Sequence, residues 1–358
     1  MQIALLTDTH WGARGDSKVF LDMMERFYND IFFPELKKQN IKTIIHLGDI
    51  VDRRKMISYV TLNRFRNVFV NRCVTEGIDL HVIVGNHDIP YRNNNDINAM
   101  GELFGSYTER GCVSFYPNPT DICVDDLKIT IMPWIHDMNY EDCMEHIRNT
   151  KSNVLFGHLS LNGFVMHKGM IQQGGMDIKP FQKFELVCSG HFHHKSNKDN
   201  IHYLGNPFEL TWNDYDDSRG FHLFDTKTLE LEFVQNPYRM FHKIFYDDTD
   251  KTMDEVIKKD FTAYENTYVK VIVQNKTNPY WFDLMLDKLY KCNPANVSIV
   301  DDNKKLSEMN DADIINEAED TLTIMRNYVG NSNLNVNTTQ LNTLLSSLYS
   351  ESQSLDIE

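Results

Sequence analysis

Leu80-His-Val-Ile-Val84 runs straight into Gly85-Asn-His-Asp88, and this junction decides the fold. A β-forming stretch ends in a glycine followed by an amide, an imidazole and a carboxylate, where a plain turn would suffice. Four other segments repeat the pattern. Ile3 to Leu6 leads to Asp8 and His10, and Thr43 to Leu47 leads to Gly48-Asp49. Asn153 to Phe156 ends in Gly157-His158, and Leu186 to Ser189 ends in Gly190-His-Phe-His193. Between the first three, Val19, Met23, Phe27 and Ile31, then Leu62, Phe65, Phe69 and Cys73, place apolar groups on one helical face. This is a βαβαβ opening, and polar groups at the carboxyl ends of such strands share one crevice.

Working outward, the pattern turns strand-rich near residue 113. Val113 to Phe115, Thr120 to Val124 and Leu127 to Met132, the last after Asp125-Asp126, predict a second sheet. The expectation is an α/β fold with two sheets packed face to face under outer helices. Residues 238–302 form a separable pattern, with strands at Met240 to Tyr246, Tyr268 to Val273 and Val297 to Val300 and a helix near Trp281 to Tyr290. Beyond residue 300, 11 acidic residues stand against 3 basic ones, and an Asn/Ser-rich stretch separates two helical stripes. The stripes are Ile314, Ala318, Leu322, Met325 and Tyr328, then Leu341, Leu344, Leu345 and Leu348. Three units are therefore expected, at 1–237, 238–302 and 303–358.

Composition narrows the function. With 41% apolar and 24% charged residues among 358, the chain excludes collagen-like, mucin-like and wholly disordered classes. No apolar run approaches the roughly 18 residues of a membrane helix, and Met1 to Asp8 lacks a signal-peptide pattern, so an intracellular protein is expected. Cysteines 73, 112, 123, 143, 188 and 292 form no C-x-x-C pair and suggest neither a disulfide framework nor a thiolate zinc site. A net charge of −15 argues against gripping nucleic acid through a general basic surface.

The donors at the five strand ends are carboxylate, imidazole and amide oxygen without thiolate. That set suits manganese, iron or zinc, and its number suits a pair of cations. The period-2 spacing of Asp8-x-His10 and His191-x-His193 directs both side chains to one face if the strand persists. His46, His81, His194, His202, His222 and His242 lack such a context and read as structural. Arg53-Arg-Lys55 and Arg92 read as solvated loops that could touch phosphate, and Asn93-Asn-Asn95 as a loop.

In this order the motifs resemble the calcineurin-like metallophosphoesterases over about residues 1–235. Flanking words carry a narrower resemblance to SbcD-type DNA repair nucleases, the meiotic-recombination nuclease family, and particularly to their T4-like phage branch. They are Gly48-Asp-Ile-Val-Asp-Arg53, Met132-Pro-Trp134, Gly157-His-Leu-Ser-Leu-Asn-Gly-Phe164, Lys168-Gly-Met170, Tyr203-Leu-Gly-Asn-Pro207, Asp216-Asp-Ser-Arg-Gly-Phe221 and Phe224-Asp-Thr226. The resemblance implies a four-layer α/β/β/α sandwich, a small α/β capping domain that assists DNA binding, and a helical partner-binding tail.

It further implies two divalent metal ions, manganese first and magnesium second. Asp8, His10 and His193 would hold one, Asn86, His158 and His191 the other, and Asp49 would bridge them. His87 would serve as general acid or as a donor to the leaving oxygen, with Asp88 a candidate orienting partner. The implied activity is 3′–5′ exonuclease on duplex DNA and endonuclease on single strands. An SMC-like ABC ATPase docked on residues 303–358 would gate it, in a homodimer in the cytoplasm. A small-molecule or protein phosphoesterase and a non-catalytic scaffold stay open as alternatives. The accessory unit and tail weigh against the first, the full set of seven ligand positions against the second.

Overall fold

In a computed structural model of the chain, the structure describes residues 1–301, apart from 92, 109–110, 168–169 and 173–174, together with Leu341. The expectations for Arg92, for Lys168-Gly169 and for the tail stripes and their docking role lie outside the described residues, Leu341 excepted.

Two six-stranded sheets form the body. The first is ordered Leu231–Gln235, Gly220–Asp225, Gln2–Leu6, Thr43–His46, Asp79–Ile83, Val113–Tyr116. The second is ordered Ser196–Lys198, Ile201–Tyr203, Leu186–Gly190, Val154–His158, Leu127–Met132, Thr120–Val124. Strand alternation assigns side chains to layers. Ile3, Leu5, Ile45 and Ile83 face Ile129, Ile131, Phe156 and Cys188 between the sheets. Ala4, Leu6, Ile44 and Val82 instead face the helices on the outside of the first sheet. Leu155, Val187 and Tyr203 pack toward Cys143, Met144 and Ile147 of the helix Tyr140–Asn149. This gives four layers, helix, sheet, sheet, helix, as expected.

The two outer helices of the first layer depart from simple periodicity. Lys18–Phe27 continues through a π-helical turn, Tyr28–Phe32, into Phe33–Lys38, and Tyr59–Phe65 does the same through Arg66–Val70 into Asn71–Glu76. The cause lies in the aromatics. Phe27-Tyr28 and Phe32-Phe33 are pairs five residues apart and all fully buried, and a turn bonded i to i+5 keeps both pairs on the core face. The two wide turns meet, with the rings of Tyr28 and Phe69 5.1 Å apart.

The strands Phe241–Asp247, Tyr268–Asn275 and Asn296–Asp301 make a separate three-stranded parallel sheet. One face packs Ile244, Tyr246, Val269, Val271 and Val273 against Phe282, Met285 and Leu289 of the helix Pro279–Lys291, which Asn278 caps. Glu209 ties this unit to the body by accepting the N–H groups of Met240 and Phe241 at 2.7 and 2.9 Å. All six cysteines are free thiols. Among the described residues no helix is long and apolar enough to cross a membrane.

Candidate metal centre

The opening strand stops at Leu6, before the first candidate ligand. Asp8 and His10 adopt φ of 50° and 45°, Asp49 54° and His191 88°, the left-handed region that non-glycine residues seldom occupy. The expected strand spacing therefore does not direct Asp8 with His10 or His191 with His193. Cross-loop bonds force a tighter path: Asp8 N–H reaches Gly48 O at 3.0 Å, His10 N–H Asp49 O at 3.1 Å, and Trp11 N–H Ile50 O at 2.8 Å. Two glycines make room. A Cβ on Gly48, whose φ is 96°, would sit 2.5 Å from His158 Nδ1, and one on Gly85 would collide with the backbone nitrogen and carboxylate of Asp49.

All seven residues expected as ligands converge. His10 Nε2 and His193 Nε2 lie 3.0 Å apart. Asn86 Oδ1 lies 3.0 Å from His158 Nε2 and 2.9 Å from His191 Nδ1. Asp49 Oδ2 stands between these groups, 3.3 Å from His158 Nε2 and 3.9 Å from His10 Nε2. Asp8 joins His10 and His193 in one cluster, Asp49 joins His158 and His191 in another, and ligand atoms within each lie within 4.8 Å of one another. Asp8 is anchored as well: both its oxygens accept the His191 N–H at 3.0 Å, and Thr7 Oγ1 donates to it at 2.5 Å.

The chemistry of the donors fits a cation. His158 Nδ1 lies 2.8 Å from the Leu47 carbonyl oxygen, which can only accept, so Nδ1 carries the proton and the Nε2 lone pair of the neutral ring points at the oxygens of Asn86 and Asp49. Lone pairs facing lone pairs in a buried site call for a positive charge between them. Burial alone would lower His158, but Asp49 carries it up to about 9, and Asp52 and Asp49 do the same for His10 against its burial. Burial raises Asp8 to about 6, whereas Asp49, despite its own burial, is held well below the usual carboxylate range by His158 and His87. Burial, reinforced by His158, takes His191 down to about 3.

His87 stands at the edge of this cluster, its ring 4.8 Å from that of His10 and its backbone N–H on Asp49 Oδ1 at 2.7 Å. Its Nδ1 meets the Asp52 carbonyl oxygen at 2.6 Å. The orienting partner is thus the Asp52 carbonyl and not Asp88. The Asp88 carboxylate instead accepts the N–H groups of Gly85, Asp49, Ile50 and Val51. It is placed to bond those amides because the two loops converge there.

Several contributors carry no site role in the sequence reading. Asp52 Oδ1 lies 3.5 Å from His10 Nδ1, and the ring of Trp134 lies 5.0 Å from that of His191. The buried Arg219 donates to the His193 carbonyl, to Asn206 Oδ1 and, at 2.8 Å, to Asp214 and Asp217, while Asp217 also meets His194 Nδ1 at 2.7 Å. Asp52, Trp134 and Arg219 lie within words flanking the ligand motifs, and that proximity is the signal the sequence offers. A cavity of about 600 Å³ opens over the cluster, and Arg14, Arg53, Arg54 and Thr211 form its rim. His46 instead bonds Thr9 Oγ1 at 3.0 Å and His81 the Tyr116 hydroxyl at 2.7 Å, so both serve the fold.

The chain has relatives among known proteins. A family profile described as calcineurin-like phosphoesterase matches residues 1–195. Exonuclease subunit 1 of Enterobacteria phage T4 is 36% identical over 274 residues, 76% of this chain and 77% of that protein. An SbcCD nuclease subunit of Staphylococcus epidermidis is 24% identical over 317 residues, 79% of each. Among solved structures, an archaeal phosphodiesterase is matched over 66% of this chain and all of its own, at 15% identity and a TM-score of 0.33. The chain belongs to the calcineurin-like phosphoesterases, in the SbcD-like group that includes the T4 exonuclease subunit.

Proposed function

We propose that this protein is a two-metal DNA nuclease, the catalytic subunit of a recombination and repair complex. The observation that carries the reading is the Asp49 carboxylate set between two clusters of lone-pair donors. Asp8, His10 and His193 would hold one divalent cation, Asn86, His158 and His191 would hold the other, and Asp49 would serve both, with manganese the first candidate and magnesium the second. When bound, such a pair lowers the pKa of a shared water and neutralises charge on the phosphodiester.

The chain's own groups do the rest. With its Nδ1 proton donated to the Asp52 carbonyl, His87 presents Nε2 to the cavity. In the doubly protonated ring, a form that burial opposes and Asp49 favours, the Nε2 proton passes to the leaving oxygen as the phosphorus–oxygen bond breaks and leaves the ring neutral. Arg14, Arg53 and Arg54 on the rim supply positive charge where a chain of −15 otherwise lacks it.

The finer reading is 3′–5′ exonuclease action on duplex ends and endonuclease action on single strands, within the cytoplasm and in a homodimer. An SMC-like ABC ATPase bound through residues 303–358 gates access. Both protein relatives being named as subunits supports a partner. The test incubates the purified chain with Mn2+ or Mg2+ and linear duplex or circular single-stranded DNA. Cleavage that chelation abolishes is expected. Hydrolysis of phosphate monoesters with no action on DNA would favour a small-molecule phosphoesterase, and failure to bind metal would favour a scaffold.

A further inference from the structure

The layer between the two large sheets changes character at one edge. Ile3, Leu5, Ile45 and Phe224 keep it apolar elsewhere. Ile201 and Tyr203 pack outside the second sheet, and Phe221 and Leu223 outside the first, so His202 and His222 between them point into the gap between the sheets. His222 leaves only 9% of its surface exposed, and the ring of its cross-strand partner Phe233 lies 5.1 Å away. Lys195 Nζ stands 3.2 Å from the centre of that same ring. Lys195, His202 and His222 together line a cavity of about 400 Å³, and none of them lines the cavity over the candidate metal centre.

Among the described residues none of these three side chains makes a hydrogen bond or an ion pair, in a chain with 51 acidic groups to choose from. Asp217, whose charge reaches Lys195, is already held by Arg219 at 2.8 Å and by His194 at 2.7 Å. The Phe233 ring fixes the ammonium group without neutralising it. Burial, reinforced by Lys195 and His202, takes His222 down to about 3, so its ring is neutral and still has one N–H to donate. Donors gathered in a shielded place call for an acceptor.

We propose that Lys195, His202 and His222 form a binding site for a phosphate group, carried either by free phosphate or by a phosphate monoester whose organic part lies against Phe233. A tetrahedral oxyanion has lone pairs enough to accept from all three donors at once, and one ammonium group beside two neutral N–H donors suits its charge. The cavity falls within the size range of small-molecule pockets, and Leu229, Leu231 and Phe233 give it an apolar wall.

The test follows the NMR signals of isotope-labelled histidine rings in the full chain, first with inorganic phosphate and then with deoxyadenosine monophosphate. His202→Gln and His222→Gln assign the two signals of interest, which separates this site from any anion bound at the metal centre. Both signals should move and saturate together. Lys195→Gln should weaken the saturation by about 10- to 100-fold, the range for a hydrogen bond to a charged group. Lys195→Arg, which keeps the charge, should retain it and so separate lost charge from lost fold. Tighter binding of the nucleotide would support the ester, and equal binding of the two would support free phosphate. Signals of His202 and His222 that stay still through millimolar concentrations of both anions would overturn the site. Undiminished affinity in Lys195→Gln would overturn it too.

Discussion

Asp88 accepts the backbone N–H of Asp49 at 2.9 Å, and through that bond one side chain fastens the loop after the second strand to the loop after the third. The same carboxylate takes the N–H groups of Gly85, Ile50 and Val51, so Asn86, His87 and Asp49 owe their relative positions to a residue that acts through backbone amides.

Asp88→Ala should strip acceptors from four backbone amides at a fully buried position. At about 1 kcal/mol for each buried donor left unmet, the loss of unfolding free energy should reach about 4 kcal/mol. Asp88→Asn, which keeps one oxygen, should fall between. Denaturant midpoints of the three proteins check this, and equal midpoints would show that the four bonds are not what holds the loops.

Asp49→Ala should abolish nuclease activity and reduce bound metal at both positions, because it removes the carboxylate between the two clusters. Elemental analysis after dialysis against Mn2+ reads the stoichiometry. Two equivalents retained together with activity would contradict the bridge.

His87→Ala should behave differently. Both metals should stay bound, while cleavage slows by about 100- to 10,000-fold, the usual range for a positioned proton donor. Loss of metal would make His87 a ligand.

Glu209 carries a pH dependence far from the centre. Its burial raises the carboxyl to about 7 while the Met240 and Phe241 N–H groups oppose the rise, and Oε1 accepts no hydrogen bond, with Arg239 no nearer than 3.9 Å. The folded state therefore favours the protonated form, and the contribution is complete below the ordinary carboxyl value of 4.5 and lost as pH rises through about 7. The change should be on the order of 3 kcal/mol. In Glu209→Gln, whose amide oxygen still accepts both N–H groups, the fall in stability across that window should flatten. Urea unfolding at several pH values measures it, and a parallel decline in both proteins would refute the assignment.

Much of the fold is legible because parallel strands covered on both faces must be apolar, and each such run, from Ile3 to Leu186, ends where polar residues begin. The same logic exposes the seven residues that meet in the centre. What stays hidden depends on contacts between distant segments. Asp8 and His10 look like strand neighbours because nothing local announces the bonds to Gly48 and Asp49 that bend the chain left-handed. The π turns at Tyr28 and Phe69 escape any reading built on a 3.6-residue period. Asp88 reads as a partner of the neighbouring His87, and Arg219 carries no role in the sequence, since their amides and carbonyls belong to other loops.

Left-handed backbone at four of the seven central residues sets a limit on heat adaptation. Glycine at Asp8, His10, Asp49 or His191 would relieve a cost of about 1 kcal/mol or more at each, the sort of gain that selection for thermal tolerance readily finds. Every one of those exchanges would delete a donor from the centre. Thermostable variants should therefore accumulate their changes in the outer helices and surface loops, and a screen for stability alone should drift toward inactive proteins through these four positions first.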